Sequence, residues 1–504
     1  MAKNLPNLML AEAGPGAGKT HAMVDEIIAA IKKLPPHRFL AAITYTNAAA
    51  NTIRERLCRR VQLRNNIFIG TTHSFMIRFV LAPYAELLSL LPEDCIYAPI
   101  DVHEKGRGAV NYTKNLIKKG IVPYEAIITI TQEILKKPNI RDRICGRLAY
   151  IFIDEFQDTD NRMFEIFQHF FKEKKTDLFV VGDPEQYVMS FTYHGRRPPK
   201  FNQIPFFRLK EQTESEQMIK NHRSNGEIVT FANQFRKDLQ QQAVKPNRSE
   251  PRVLFIPATS LEEIIRRFQA LSSNVEIEEA PRTRLYLSEE NQTFNSVLDK
   301  FKLTPISNVA QKKYTLLGEA LELISKALGR SQRKICEEFE LSRLQWRAVG
   351  IRLLRYLHED EYNTDRFFNF VKDEFDQRIS DSRIKNTEDS LSILRNQLSK
   401  KGLAQLTEFC ASIRKAKGLQ ADAALVVAKS VAELQKWLQN DLAARMSDKQ
   451  DKCRLGYIAF TRPREMLCIA CLKEIDAELI HKLQNLRIVT VIEDDAEKSL
   501  DSKL

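Results

Sequence analysis

The chain has 504 residues, 43% hydrophobic and 28% charged, and 77 Lys and Arg against 65 Asp and Glu give a formal net charge of +12. This length excludes a single core and requires two to four domains or subdomains, and the composition is that of a soluble globular protein. The basic excess favours a polyanionic partner, nucleic acid before membrane, and no apolar stretch is long enough to span a bilayer.

The first apolar run, Leu8–Ala11, leads into Ala13-Gly14-Pro15-Gly16-Ala17-Gly18-Lys19-Thr20. A strand, a glycine-rich loop and a helix expected from Lys19 to Leu34 form the layout of a phosphate-cradling P-loop, with Ala13 where the strict pattern has Gly. Gly14, Gly16, Ala17 and Gly18 form the loop, and its glycines let backbone N–H groups close around phosphate oxygens. Lys19 places a cation on the terminal phosphates, and Thr20 offers a hydroxyl to Mg²⁺. The helix that follows directs its positive dipole end at the anion.

The runs Phe39–Tyr45, Ile67–Ile69, Tyr150–Ile153 and Leu178–Val181 lack strict polar alternation, so they read as parallel strands buried on both faces. Helical patterns at Ala48–Arg60 and Met163–Phe171 fall between them. Residues 76–145 break this rhythm and read as an insertion. Ile151-Phe152-Ile153-Asp154-Glu155 is an apolar strand ending in two acids, at the carboxyl edge where such sheets place ligands. Asp154 is suited to hold Mg²⁺ through water and Glu155 to polarise the water that attacks a γ-phosphate. Val180-Val181-Gly182-Asp183-Pro184-Glu185-Gln186 is another strand running into a polar turn.

Short strands resume at Val253–Ile256, Leu285–Leu287, Leu425–Ala428 and Met466–Cys471. Residues 303–400 are helical and highly charged, a second insertion. Within it Arg333–Phe339, Leu341-Ser342 and Leu344–Leu357 have helix-turn-helix spacing, which a plain helical hairpin also explains. The expected division is 1–75 with 146–216, insertion 76–145, 217–302 with 401–488, insertion 303–400, and a solvated tail 489–504. The N-terminus does not read as a signal peptide, and eight scattered cysteines suit a reducing cytosol, so a cytoplasmic location is expected. Cys468 and Cys471 lie in one strand at odd spacing, on opposite faces, and do not suggest a metal site.

With these motifs in order, the chain resembles the superfamily 1 DNA helicases of the UvrD/Rep/PcrA type. The resemblance implies two RecA-like α/β domains with parallel sheets, each carrying a mainly helical insertion. It implies that Gln186 senses the γ-phosphate and that Phe191 stacks on a DNA base. Asn221-His222-Arg223-Ser224 is similar to the motif whose arginine reaches the γ-phosphate, and Tyr457-Ile458-Ala459-Phe460-Thr461-Arg462 to the last motif, so Arg223 and Arg462 are expected to act on phosphate with Lys19 and Glu155. Thr44 and Asn47 in Ile43–Ala50, and Thr72 and His73 in Gly70–Phe75, match DNA-contact segments. Lys415-Ala416-Lys417-Gly418-Leu419 resembles the family's Lys-Gly-Leu turn, with Arg414 beside it in place of a histidine on the DNA track.

Several positions depart from the family. No glutamine precedes the P-loop, and His222 stands where a tyrosine stacks on the base. Met189 replaces a tyrosine, Thr192 an arginine and Gln420 a glutamate. The resemblance implies an ATP- and Mg²⁺-dependent, 3′ to 5′ translocase or helicase on single-stranded or tailed duplex DNA, with hydrolysis better supported than strand separation. A second reading is a DNA- or nucleotide-sensing ATPase subunit that regulates a partner nuclease, because the compact chain is similar to the helicase subunit of Gabija-type anti-phage systems. A P-loop kinase or GTPase leaves Gln186, Arg223 and Arg462 unexplained, and no nuclease constellation follows the last motif.

Overall fold

The computed structural model describes residues 7–92, 95–98, 107–190, 198–236, 238–247, 251–275, 282–306, 316–330, 332–357, 364–376, 391 and 407–491. Two parallel sheets dominate it. The first contains β1 (Leu8–Ala13), β2 (Phe39–Thr44), β3 (Ile67–Thr71), β4 (Leu148–Ile153), β5 (Asp177–Gly182) and β6 (Ser215–Met218), in the order β3-β2-β4-β5-β1-β6. All five pairings are parallel, with Leu10 opposite Val180 and Ala42 opposite Phe152.

Apart from the edge strand β6, its strands are mostly apolar because helices cover both faces. On one face α1 (Lys19–Lys33) and α2 (Asn47–Cys58) send Met23, Ile27, Ile53 and Leu57 against Ala42, Ile69 and Val181. On the other, α3 (Asn161–Lys172) buries Phe164, Phe167 and Phe170 against Ile151 and Val180. Asp160 caps α3 by accepting from the Met163 N–H at 2.7 Å. The first insertion shares this layer: Val122, Ile127 and Leu135 join the same cluster, so it is an extension of the first domain's core.

The second sheet contains β7 (Val253–Ile256), β8 (Arg284–Ser288), β9 (Thr304–Pro305), β10 (Glu408–Ser412), β11 (Ala421–Ala428), β12 (Pro463–Cys471) and β13 (Val489–Thr490), in the order β9-β10-β8-β11-β12-β7-β13. It is parallel throughout. Cys468 enters one face layer and Cys471 the other, as their spacing requires. Two expected boundaries move. Thr304–Pro305, expected in the insertion, pairs with β10, and Val489–Thr490, expected in the tail, pairs with β7.

The chain between β6 and β7 includes α4 (Gly226–Asn233), and α5 (Lys452–Phe460) leads into β12. The second insertion has its own core, in which Ile324, Trp346, Leu353, Phe367 and Val371 pack together. Its helices Gln332–Glu338 and Arg343–Leu357 form the hairpin expected there, and the Trp346 indole donates to Gln332 Oε1 at 3.1 Å.

One glycine in α5 is set by packing. A Cβ on Gly456 would lie 2.7 Å from the Trp437 backbone. Gly456→Ala is therefore expected to destabilise the second domain by about 1–3 kcal/mol, read as a lowered urea midpoint. An unchanged midpoint would show that Trp437 gives way freely.

Candidate active site between the two sheets

The motif loops leave the carboxyl ends of their strands, where a parallel sheet gathers its ligand-binding groups. β1 runs into the P-loop, in which Gly16 and Gly18 adopt φ of +75° and +80°. At Gly16 a side chain would also collide with the second half of the chain, since its Cβ would lie 2.6 Å from Asn221 Oδ1 and 2.8 Å from Arg223 Cβ. The His222 N–H donates to Gly16 O at 2.9 Å, while the His222 side chain is exposed. Gly14 and Ala17 are buried in the same loop.

Lys19 Nζ donates to the Ala13 and Gly14 carbonyls, each at 3.2 Å. Burial holds its ammonium below the ordinary lysine range, opposed by Asp183, Glu155 and Asp154. Thr20 Oγ1 lies 3.5 Å from Asp154 Oδ2. Burial, reinforced by the charge of Glu155, pushes the Asp154 carboxyl up to about 7. Glu155 behaves oppositely. Burial works against its charge, but Lys417 and Lys19 hold its carboxyl below the ordinary range.

Glu155 occupies the left-handed region, φ +53° and ψ 39°, at the start of the turn after β4. Strain of this kind gathers at functional positions. Gln157 secures the residue from behind: its amide donates to Glu155 Oε2 at 2.5 Å and accepts from the Asp183 N–H at 2.9 Å. Gln186, buried, donates to Asp183 Oδ2 at 2.7 Å.

The second half contributes cations to the same place. Arg223 donates to Thr461 O at 2.9 Å and to Gln420 Oε1 at 3.2 Å. Arg462 is 1% exposed and donates to Ile458 O at 2.8 Å and Thr461 Oγ1 at 3.1 Å. Among the described residues neither guanidinium forms a salt bridge with a carboxylate. Burial, then repulsion from Arg462 and Arg464, lowers Arg223 to about 9, and burial lowers Arg462 to about 10. Glu155 is the carboxylate that counters both. One buried and one partly buried guanidinium, both held by neutral oxygens, are suited to meet an anion.

The residues expected on the DNA track divide. Thr44 and Thr72 are buried, and the Thr72 hydroxyl donates to Thr44 O at 3.4 Å. Both side chains are buried, so neither presents its hydroxyl at the surface here. Asn47, first residue of α2, is partly exposed, and His73 stacks on Tyr124 with ring centroids 4.7 Å apart. Arg414 is partly exposed in the loop after β10. Phe191 lies outside the described residues.

Residues 2–192 match the family model described as an AAA domain. The Gabija protein GajB of Bacillus cereus (strain VD045) is 26% identical over 364 residues, covering 66% of this chain and 72% of GajB. The ATP-dependent DNA helicase Rep of Buchnera aphidicola subsp. Acyrthosiphon pisum is 27% identical, covering 46% of this chain and 42% of Rep. The ATP-dependent DNA helicase PcrA of Staphylococcus aureus is 22% identical, covering 61% of this chain and 47% of PcrA. The chain is similar to the superfamily 1 helicases of the UvrD/Rep/PcrA type. It spans less than half the length of Rep and PcrA.

The contacts between the two halves of the chain include residues to which the motifs gave no role. Lys417, in the Lys-Gly-Leu turn, donates to both carboxylate oxygens of Asp158 at 2.7 and 2.6 Å and lies 3.8 Å from Glu155 Oε2. Arg445 pairs with Glu185, and Asp451 accepts from the Ser190 N–H at 2.8 Å. Gln241 packs its amide on the P-loop, where a Cβ on Gly14 would lie 2.5 Å from Gln241 Cδ. The Lys-Gly-Leu turn was a signal for Lys417; nothing in the sequence near Arg445 or Gln241 marks them.

Proposed function

We propose that this chain is a DNA-dependent ATPase that moves 3′ to 5′ along single-stranded DNA, closing and opening its two RecA-like domains around ATP. The observation that carries the reading is the pair of arginines, Arg462 buried and Arg223 partly buried, held without carboxylate partners among the described residues beside the P-loop and Glu155. Lys19, Thr20 and the P-loop backbone hold the triphosphate. Glu155 orients and deprotonates the attacking water, Gln186 meets the γ-phosphate, and the two arginines take up negative charge as the bond to the leaving phosphate breaks. Catalysis needs both halves, so it is completed only on closure.

The residues fit a divalent cation. The Thr20 hydroxyl and the Asp154 carboxylate are hard oxygen donors 3.5 Å apart, and burial penalises the Asp154 charge until a cation offsets it. Mg²⁺ held there neutralises phosphate charge. Asn47, His73, Phe191 and Arg414 are the proposed DNA contacts, and stacking by Phe191 would contribute about 1–3 kcal/mol per base without reading sequence.

The test is ATP hydrolysis with and without single-stranded DNA, alongside opening of a fluorescent duplex with a 3′ tail. Stimulated hydrolysis with duplex opening supports the motor. Hydrolysis without opening favours a subunit whose nucleotide state regulates a partner nuclease in anti-phage defence. GajB supports that second reading, since this chain covers 72% of it against less than half of Rep and PcrA, and Met189, Thr192, Arg414 and Gln420 alter the DNA track. DNA affinity is expected to fall about 10³-fold or more between 50 and 200 mM salt if six or more phosphates are contacted. Fluorescence anisotropy measures it, and a flat response would count against phosphate-dominated binding.

A further inference from the structure

Arg236 belongs to none of the motifs and is 2% exposed. Its guanidinium meets three carboxylates. Nη1 donates to Asp183 Oδ1 at 2.5 Å, Nη2 to Glu12 Oε1 at 2.7 Å, and Nε to Asp238 Oδ1 at 3.0 Å. Glu12 is the β1 residue immediately before Ala13 and the P-loop, and Lys210 reaches its other oxygen at 2.5 Å. A buried ionic cluster is weak evidence for stability, since desolvation offsets much of the attraction. Its position is more informative.

The second oxygen of Asp183 accepts from Gln186 Nε2 at 2.7 Å. A carboxylate only accepts, so it fixes which end of the Gln186 amide faces it and leaves the second N–H and Oε1 for other partners. Arg236 fixes Asp183 in turn. α4 adds a mechanical link: Arg223 precedes it by three residues and Arg236 follows it by three. Asn225 caps the helix by accepting from the Ile228 N–H at 3.1 Å. The arginine beside the P-loop and the arginine behind Gln186 therefore sit at the two ends of one short rigid element.

We infer that Arg236 is a positioning residue that fixes Gln186 through Asp183 and, through α4, couples that setting to Arg223 and to the strand entering the P-loop. The role rests on the reading that Gln186 and Arg223 act at the γ-phosphate. Gln186 responds to the nucleotide only while the Asp183 carboxylate is set by Arg236, and Arg236 reaches it only while α4 is docked on the first domain.

The test is a double-mutant cycle in the full-length protein, read as DNA-stimulated ATP hydrolysis with kcat and KM separated. Arg236→Lys keeps the charge facing Glu12 and Asp183 but loses the planar fork, so folding is preserved while the orientation is not. It is expected to lower kcat by about 10- to 10²-fold with KM changed by less than about threefold. In a Gln186→Ala background the same change should add nothing, because the residue it positions is gone. Thermal midpoints of all four proteins accompany the cycle. A wild-type kcat for Arg236→Lys, or losses that multiply in the double variant, would overturn the role and leave the proposed function standing. A wild-type protein with no nucleotide turnover would instead overturn the proposed function, and this role with it.

Discussion

Replacing Glu155 by Gln will leave ATP bound and nearly stop its turnover. Lys417 and Lys19, acting against burial, keep this carboxylate ionised and so open to a proton, while burial and the charge of Glu155 push the neighbouring Asp154 up to about 7. The amide variant keeps size and the Gln157 contact region but cannot accept the proton, so kcat should fall about 10²- to 10⁴-fold. Binding of a fluorescent ATP analogue should change by less than about threefold, since the P-loop and Lys19 supply ground-state contacts. Retained hydrolysis in Glu155→Gln would remove Glu155 from the role of base.

The second large effect concerns the cations from the other sheet. Arg223→Ala and Arg462→Ala should each lower kcat about 10³- to 10⁵-fold, the range for an arginine that meets developing phosphate charge. Neither guanidinium has a carboxylate partner among the described residues, so truncation strands no buried acid in an ion pair. Loss of activity with an unchanged thermal midpoint would therefore report lost transition-state stabilisation. Equal losses of kcat and midpoint would mean the arginines serve packing. The separate effects should combine to less than their product, because both groups meet the same anion.

How much of this was legible in the sequence depends on the range of the constraint. The P-loop could be read because its chemistry is local: glycines, lysine and threonine within eight residues, behind an apolar strand. Asp154 and Glu155 could be read because β4 delivers them directly to the sheet edge. Lys417 and Arg236 could not be assigned, since their partners Asp158 and Glu12 lie 259 and 224 residues away. The burial of Thr44 and Thr72 could not be read, because a hydroxyl in a strand-to-helix segment looks the same in sequence whether it is exposed or buried. The strand Ser215–Met218 carries no apolar run and is polar at an exposed sheet edge, and Glu408–Ser412 conceals an acid that Arg284 neutralises.

The central claim is that one triphosphate is held by groups from both sheets. The most direct measurement is an experimental structure of the full-length protein with single-stranded DNA, Mg²⁺ and a non-hydrolysable ATP analogue. The account predicts γ-phosphate oxygens within hydrogen-bond distance of Lys19 and Gln186 on one side and of Arg223 and Arg462 on the other. A triphosphate bound to the P-loop with both arginines turned away from it in the closed, DNA-bound state would contradict the account.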